Sequence, residues 1–452
     1  MIALWLAAAQ AHVPILYVFG PEDDWCGFLS QTVEIDGALF YPGDVVILEP
    51  GEYSRCAVWA LYTDTDTEFT VIQASDPDDP PRFVHDGGPE PMLDIMGTHI
   101  QVFDLAFESV PAGATGLRVH DIDHAWFRFA EFTGIAGTGM RVEGAASDLW
   151  VLDDRFETEA GGVGLQLGCE GCAQNVRVRD DLVLGAGTGI VSAPGAVVEI
   201  TDVVFGGPGD GVQVWGGPDT SFLTGNLFVD VGAALEVHGG PLVVRNNLVR
   251  ATGTAISASD DGTASFERVR VLGNSFAGGA VELGAVTGAG FEVADNAGVS
   301  GGGAGNVPCD GACWRDPAMN DFYPAAGSPL LGAGEGTTDD ALFEDFCGQE
   351  RVEPRTAGAI QFVGDIGWDP LTVGFKSDFQ CSIVGPPGKD TGFQETDDEA
   401  PKCGCAQAGD ASFGGRALGI GLFLGFLVRR RSASTAAASH SPDAGVPAQP
   451  HG

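Results

Sequence analysis

From about residue 92 onward, apolar and polar residues alternate in short bursts, and the bursts recur. Each opens with Gly or Ala and runs apolar, polar, apolar: GLRVH, GMRVE, GLQLG, GIVSA, GVQVW, ALEVH, AISAS and AVELG. Their first apolar residues are Leu117, Met140, Leu165, Ile190, Val212, Leu235, Ile256 and Val281, separated by 21 to 25 residues, and Leu93 in LDI starts the series. A period of two sends neighbouring side chains to opposite faces of a strand, so each opening predicts a strand of about four residues. A second burst follows in every unit: QVFDLAF, WFRFAEF, WVLDDRF, VRVRDDLV, VEITDVVF, FLTGNLF, VVRNNLV and VRVLGNSF. No helical period interrupts residues 92–300.

The repeat lacks the Leu-x-x-Leu-x-Leu consensus of leucine-rich repeats and is about half the length of a propeller blade. Two or three short strands per unit, joined by Gly and Asn turns, predict an all-β chain wound as a parallel β-helix, a solenoid of about nine or more coils with a capping segment at each end. Coils stacked at roughly 4.8 Å bring equivalent positions into register. Phe107, Phe132, Phe156, Val183, Phe205, Phe228, Val249 and Phe276 then form a ladder filling the bore. Two residues before each stand Leu105, Ala130, Asp154, Asp181, Val203, Asn226, Asn247 and Asn274, and Asn and Asp tolerate left-handed turns, so this column is expected to be a solvated turn ladder.

Composition narrows the partners. Acidic residues number 63 against 22 Lys plus Arg, a formal net charge of −41 that repels nucleic acid. The only lysines are Lys376, Lys389 and Lys402, so the coils carry no amine of their own. The 10 cysteines fall in local groups (Cys26 and Cys56, Cys169 and Cys172, Cys309 and Cys313, Cys347 and Cys381, Cys403 and Cys405), as suits an oxidising compartment. There, disulfides are expected at the first eight in preference to zinc, and residues 1–11, ending Ala9-Gln10-Ala11, read as a secretory signal. Residues 12–91 then form the N-terminal cap and first coils, 92–308 the repeats, 309–382 the C-terminal cap, and 383–402 an acidic Pro/Gly linker. Beyond it, 403–431 join Cys-Gly-Cys, an apolar run from Ala417 to Val428 and Arg429 to Arg431, the pattern of a membrane segment with a cytoplasmic end; 432–452 read as a disordered tail.

Two resemblances carry further. LFYPGDVVILEPGEYSRCAV resembles the opening segment of pectate-lyase-like right-handed β-helix proteins, and DPAMNDFYPAAGSPLLGAGEG with CGQERVEPRTAGAIQF resembles their closing segment, which covers the open end of the helix. The likeness spans roughly residues 30–365 and implies the fold more than an activity. Cys403 and Cys405 with the short apolar run and arginines resemble a MYXO-CTERM-type sorting signal. That implies processing by a sorting protease near the cysteines and display of the body on the outer cell surface; separately, the ectodomain is expected to be monomeric.

Several constellations are candidates for chemistry. Asp153-Asp154, Asp180-Asp181 and Asp202 recur on consecutive coils, and stacked carboxylates need a cation, shared protons or solvent. They are candidate ligands for Ca²⁺ at Asp153, Asp154, Asp180 and Asp181, and candidate catalytic acids of a hydrolase at Asp154, Asp181 and Asp202, although the Gly-His-Gly and Arg-x-Lys elements of polygalacturonase-like helices are missing. Arg118 and Arg141 stand on adjacent coils with His120 and Glu143 two residues on, as a base for lyase chemistry on a uronic-acid polymer or as plain surface ion pairs. Gln166, Gln213 and Glu236 continue that column, and Trp215 and His238 share the His120 column, where an outward ring stacks on a sugar face. Trp126 and Trp150 make a similar pair on the second strand. In His120-Asp121-Ile122-Asp123-His124 alternation is expected to send His120 and Asp121 to opposite faces, against a metal site. The reading is a polysaccharide-binding or adhesive surface protein, with a polysaccharide lyase or glycoside hydrolase as the enzyme alternative.

Overall fold

The computed structural model describes residues 15–379 except 24, 26–42, 61–68, 89–90, 169–173, 259–267, 284–290, 301–302, 310–311, 335–343 and 365–368. Cys26, Cys169, Cys172, Cys381, Cys403 and Cys405, the signal segment, the linker, the apolar run and the tail therefore lie outside the described residues. Among those described, no helix is long and apolar enough to cross a membrane.

The chain is a parallel β-helix in which strands contribute to one 26-stranded sheet system, each paired with its equivalent one coil away. Three faces repeat. The first holds Leu93, Leu117, Met140, Leu165, Ile190, Val212, Leu235, Ile256 and Val281 in direct register, the predicted series. The second runs through Gln101, Trp126, Trp150, Arg177, Glu199, Phe222, Val243, Arg270 and Glu292, and the third through Phe83, Phe107, Phe132, Phe156, Val183, Phe205, Phe228, Val249 and Phe276. Rungs precede Leu93 as well: Cys56–Ala60 pairs with Leu93–Phe103, and Leu16–Phe19 with Val45–Leu48.

The bore is packed as the pattern predicts. Phe107, Phe132 and Phe156 stack with ring centroids 4.7 Å apart, Phe205 and Phe228 at 4.6 Å, and the column continues down to Phe83, Tyr53 and Trp25. Where glycine opens a repeat, it has a steric reason. A Cβ on Gly139 would stand 2.7 Å from the carbonyl oxygen of Gly164 and 2.9 Å from Ile135 Cδ1.

The column expected to be a solvated turn ladder lies inside the wall. Asp154, Asp181, Asn226, Asn247, Asn274 and Asn296 are fully buried, and their side-chain oxygens accept backbone N–H groups of the preceding coil. The reason is parity. The residue just before each (Asp153, Asp180, Gly225, Asn246, Gly273 and Asp295) takes a left-handed φ of 54° to 67°, which turns the next side chain inward.

The closing segment does more than cover an end. Leu182, Val204, Leu227 and Leu248, outward on the third face, pack with Trp314, Phe322, Tyr323, Leu330, Phe346 and Leu371 in a second core. Arg351, in the Cys-Gly-Gln-Glu-Arg stretch, is buried and donates to Asn246 Oδ1 and to the carbonyls of Thr356 and Gly358. Burial pulls its pKa down to about 10. Cys309 and Cys313 form a disulfide, and Cys56 and Cys347 are each disulfide-bonded as well.

Candidate ligand-binding face

On the first face the residues between the inward apolar ones point out, and register aligns Asp94, Arg118, Arg141, Gln166, Val191, Gln213, Glu236, Ser257 and Glu282 in one column. A second column, two residues on, aligns Met96, His120 and Glu143. Arg118, Arg141 and His120 are thus brought together as the sequence implies, but their charges are already engaged. Arg118 forks onto Asp94, with its Nε 3.0 Å from Oδ1, and His120 Nε2 lies 3.2 Å from the same oxygen. Arg141 Nε lies 2.6 Å from Glu143 Oε1, with the arginine side chain 42% exposed. Asp94, not singled out in the sequence, is the hub; its position one repeat before Arg118 is the signal that pointed to it.

Farther along, Trp215 and His238 stack face to face, 4.0 Å apart and 5° from parallel. One face of the Trp215 ring is therefore taken by the protein, and His238 is itself buried. The expected open aromatic platform is half of one.

Asp121 corrects the parity argument. Its φ of 48° breaks alternation, so its carboxylate comes within 3.5 Å of His120 Nδ1 on the same side of the wall. Left-handed residues His99, His124 and Asp148 make the neighbouring corner, where His99 and His124 stack at 4.8 Å. There Asp148 accepts from Trp150 Nε1 at 3.1 Å and Arg177 at 3.0 Å, and the Arg177 guanidinium lies 4.5 Å above Trp150. Asp123 is partly desolvated, which alone raises its pKa, but hydrogen bonds from Ser147 and His124 and the nearby His99 outweigh this and hold it below the ordinary range. Trp150 thus belongs to an ionic and aromatic network, and Trp126 joins it through Phe69, whose ring lies 5.6 Å from Trp126 and 5.3 Å from His99. Among the described residues no group of three or more His, Cys, Asp or Glu is arranged to hold a metal ion.

The aspartate column divides in two. Asp153, Asp180 and Asp202 face outward, paired with Arg128 at 2.7 Å, Arg179 at 3.1 Å and Lys376. Asp154 and Asp181 face inward with no exposed surface, on the other side of the backbone from their neighbours. The four expected calcium ligands are not one set, and the two buried carboxyls are out of reach of a polymer. Lys376 returns an amine to the coils: its Nζ bonds Asp202, donates to the carbonyls of Gly225 and Phe346 at 2.8 Å, and sits 3.8 Å over the Phe346 ring. Asp180 is pushed up to about 6, by burial first and then by Asp202 and Asp153, against Arg179 and Lys376. A cavity of about 10 Å³ lined by Thr158, Phe205 and Gly209, room for one water, touches none of the candidate residues.

No family model and no curated protein matches the chain. Solved structures similar to it include an alginate lyase from Paenibacillus sp. strain FPU-7, with TM-score 0.45 and 16% identity over 58% of this chain and 94% of that one. Pectate lyase Pel9A has TM-score 0.45 and 12% identity, over 77% of this chain and 97% of that one. A mannuronic acid specific polysaccharide family 6 lyase from human gut microbiota has TM-score 0.35 and 14% identity, over 62% and 82%. The fold itself is read from the strand register above.

Proposed function

We propose that the chain is a secreted, surface-displayed β-helix that binds an extended polysaccharide along its first face and does not cleave it. The observation that carries this reading is the charge pairing there: Arg118 is held by Asp94, and Arg141 is engaged by Glu143. A lyase needs a base free to take a proton, whereas paired charges at successive rungs offer fixed donors and acceptors to sugar hydroxyls. Gln166 and Gln213 extend the same row and Trp215 stands in the neighbouring column of His120, so the ligand is a long chain and not a small molecule.

The test is affinity electrophoresis of the purified chain through gels containing neutral and uronate polysaccharides, with and without Ca²⁺, while unsaturated product is followed by absorbance. Retardation by at least one polymer, weakened severalfold in Arg141→Ala and Trp215→Ala, is expected without product. Unsaturated product that disappears in Arg141→Ala overturns the binding reading in favour of a lyase. Migration unchanged by every polymer leaves an adhesive or structural role.

A further inference from the structure

We propose that Asp154 and Asp181 are carried in the folded chain as carboxylic acids, each donating its proton to an oxygen of the wall, so that these two rungs are a proton-gated segment of the solenoid. The argument begins with the rungs that follow. In Asn226, Asn247, Asn274 and Asn296 the side chain does two things. Its Oδ1 accepts the N–H of the equivalent residue one coil earlier, at 2.9 to 3.0 Å. Its Nδ2 donates to a backbone carbonyl at 2.8 to 3.0 Å and to the Oδ1 of the next rung.

The carbonyl follows a rule. Asn226 donates to Ile200, Asn247 to Leu223, Asn274 to Val244, Asn296 to Val271 and Asn306 to Val293. In every case it belongs to the residue three before the ladder position of the preceding coil. The same offset points Asp154 at the carbonyl of Phe127 and Asp181 at that of Val151.

Asp154 and Asp181 reproduce the first half of this arrangement. Their Oδ1 atoms accept the N–H groups of Ala130 and Asp154, both at 2.7 Å. The second half fails if they are ionised. Each Oδ2 stands where the asparagines carry a donor, is buried, and has no hydrogen-bond partner. An ionised Oδ2 would face lone pairs with lone pairs in a dry wall, which is costly. A proton on Oδ2 turns each aspartate into a mimic of the asparagine amide: Asp154 then donates to Phe127 or to Asp181 Oδ1, and Asp181 to Val151.

The surrounding charges mostly oppose an anion. Asp153 and Asp104 repel one at Asp154 and Asp153 and Asp180 one at Asp181, while Arg128, which favours ionisation of Asp154, is itself bonded to Asp153. Burial pushes both carboxyls well above the usual range, and the mutual repulsion of Asp154 and Asp181 adds to it at Asp181. A carboxyl whose folded pKa is raised binds a proton more tightly folded than unfolded. Its stabilisation is complete below the unfolded value of about 4 and is lost as pH rises through the folded one.

The experiment uses the full chain and its Asp154→Asn/Asp181→Asn variant, with Asp153→Asn as the surface control. Infrared difference spectra of aspartate-labelled protein at neutral pH are expected to show a protonated-carboxyl band in the native chain that is missing from the double variant. The thermal midpoint is expected to fall more steeply with rising pH in the native chain and in Asp153→Asn than in the double variant. Parallel pH curves for native chain and double variant overturn the proposal, as does the lack of a protonated band at neutral pH. If the double variant does not fold, the native infrared titration and the single Asp154→Asn variant decide it, because that amide finds acceptors at both Phe127 and Asp181.

Discussion

The two halves of the solenoid solve one packing problem with different chemistry, and the change is made within about two rungs. Up to Arg155 the outward column of the third face reads Arg82, Ala106, Glu131, Arg155; from the next rung it reads Leu182, Val204, Leu227, Leu248. The buried turn column switches near the same level, from Asp154 and Asp181 to the asparagines that begin at Asn226. The first half meets solvent with ion pairs such as Arg155 with Glu157; the second is roofed by the closing segment. A repeated backbone therefore leaves each column free to be rewritten wherever its neighbours change, as long as the inward residues keep filling the bore.

The contrast is broken most severely in the roofed half. Leu227→Ala is expected to cost about 2–5 kcal/mol, since the side chain is fully buried beneath the closing segment, whereas Glu131→Ala in the same column stays within about 0.5 kcal/mol. Chemical denaturation of both variants measures the gap, and equal losses would erase the distinction. Next comes the amide ladder. Asn247→Ala removes the acceptor of Asn226 and the donor to Leu223 and Asn274, an expected loss of about 2–3 kcal/mol by the same method.

A smaller effect sharpens the join between the halves. Lys376→Met leaves the Asp202 carboxylate beside Asp180 without its amine, for an expected loss of about 1–2 kcal/mol and faster proteolysis within residues 371–379. The smallest effect is the pH dependence of Asp180. Its folded pKa, about 6, is above the unfolded value. Its stabilisation is therefore whole below about pH 4 and is lost as pH rises through the folded value. Asp180→Asn is expected to flatten that part of the stability curve by about 1 kcal/mol, a value reduced for solvent screening.

The repeat length, the phenylalanine column and the first-face register were legible because each rests on a period of two repeated coil after coil. What the pattern could not convey was parity at the corners. Leu152 and Asp153 are adjacent letters, yet both lie on the outer side between buried Val151 and buried Asp154, because Asp153 takes a positive φ. The same device puts Asp121 beside His120. Asp94 was hidden by being one member of a column read from Arg118 onward. Lys376 was hidden by distance: no local pattern shows that a residue so far along the chain returns to the coil of Asp202.

That return has a mechanical side. The described chain reaches Phe379 alongside the rungs of Asp202 and Gly225, not beyond the last coil. Tension transmitted through the residues that follow would pull on the flank of the solenoid, crosswise to its axis. The bond between Lys376 and Asp202 and the contact of Leu371 with Asn320 would take the load first. The roof would peel away contact by contact while the stacked coils beneath stayed unloaded.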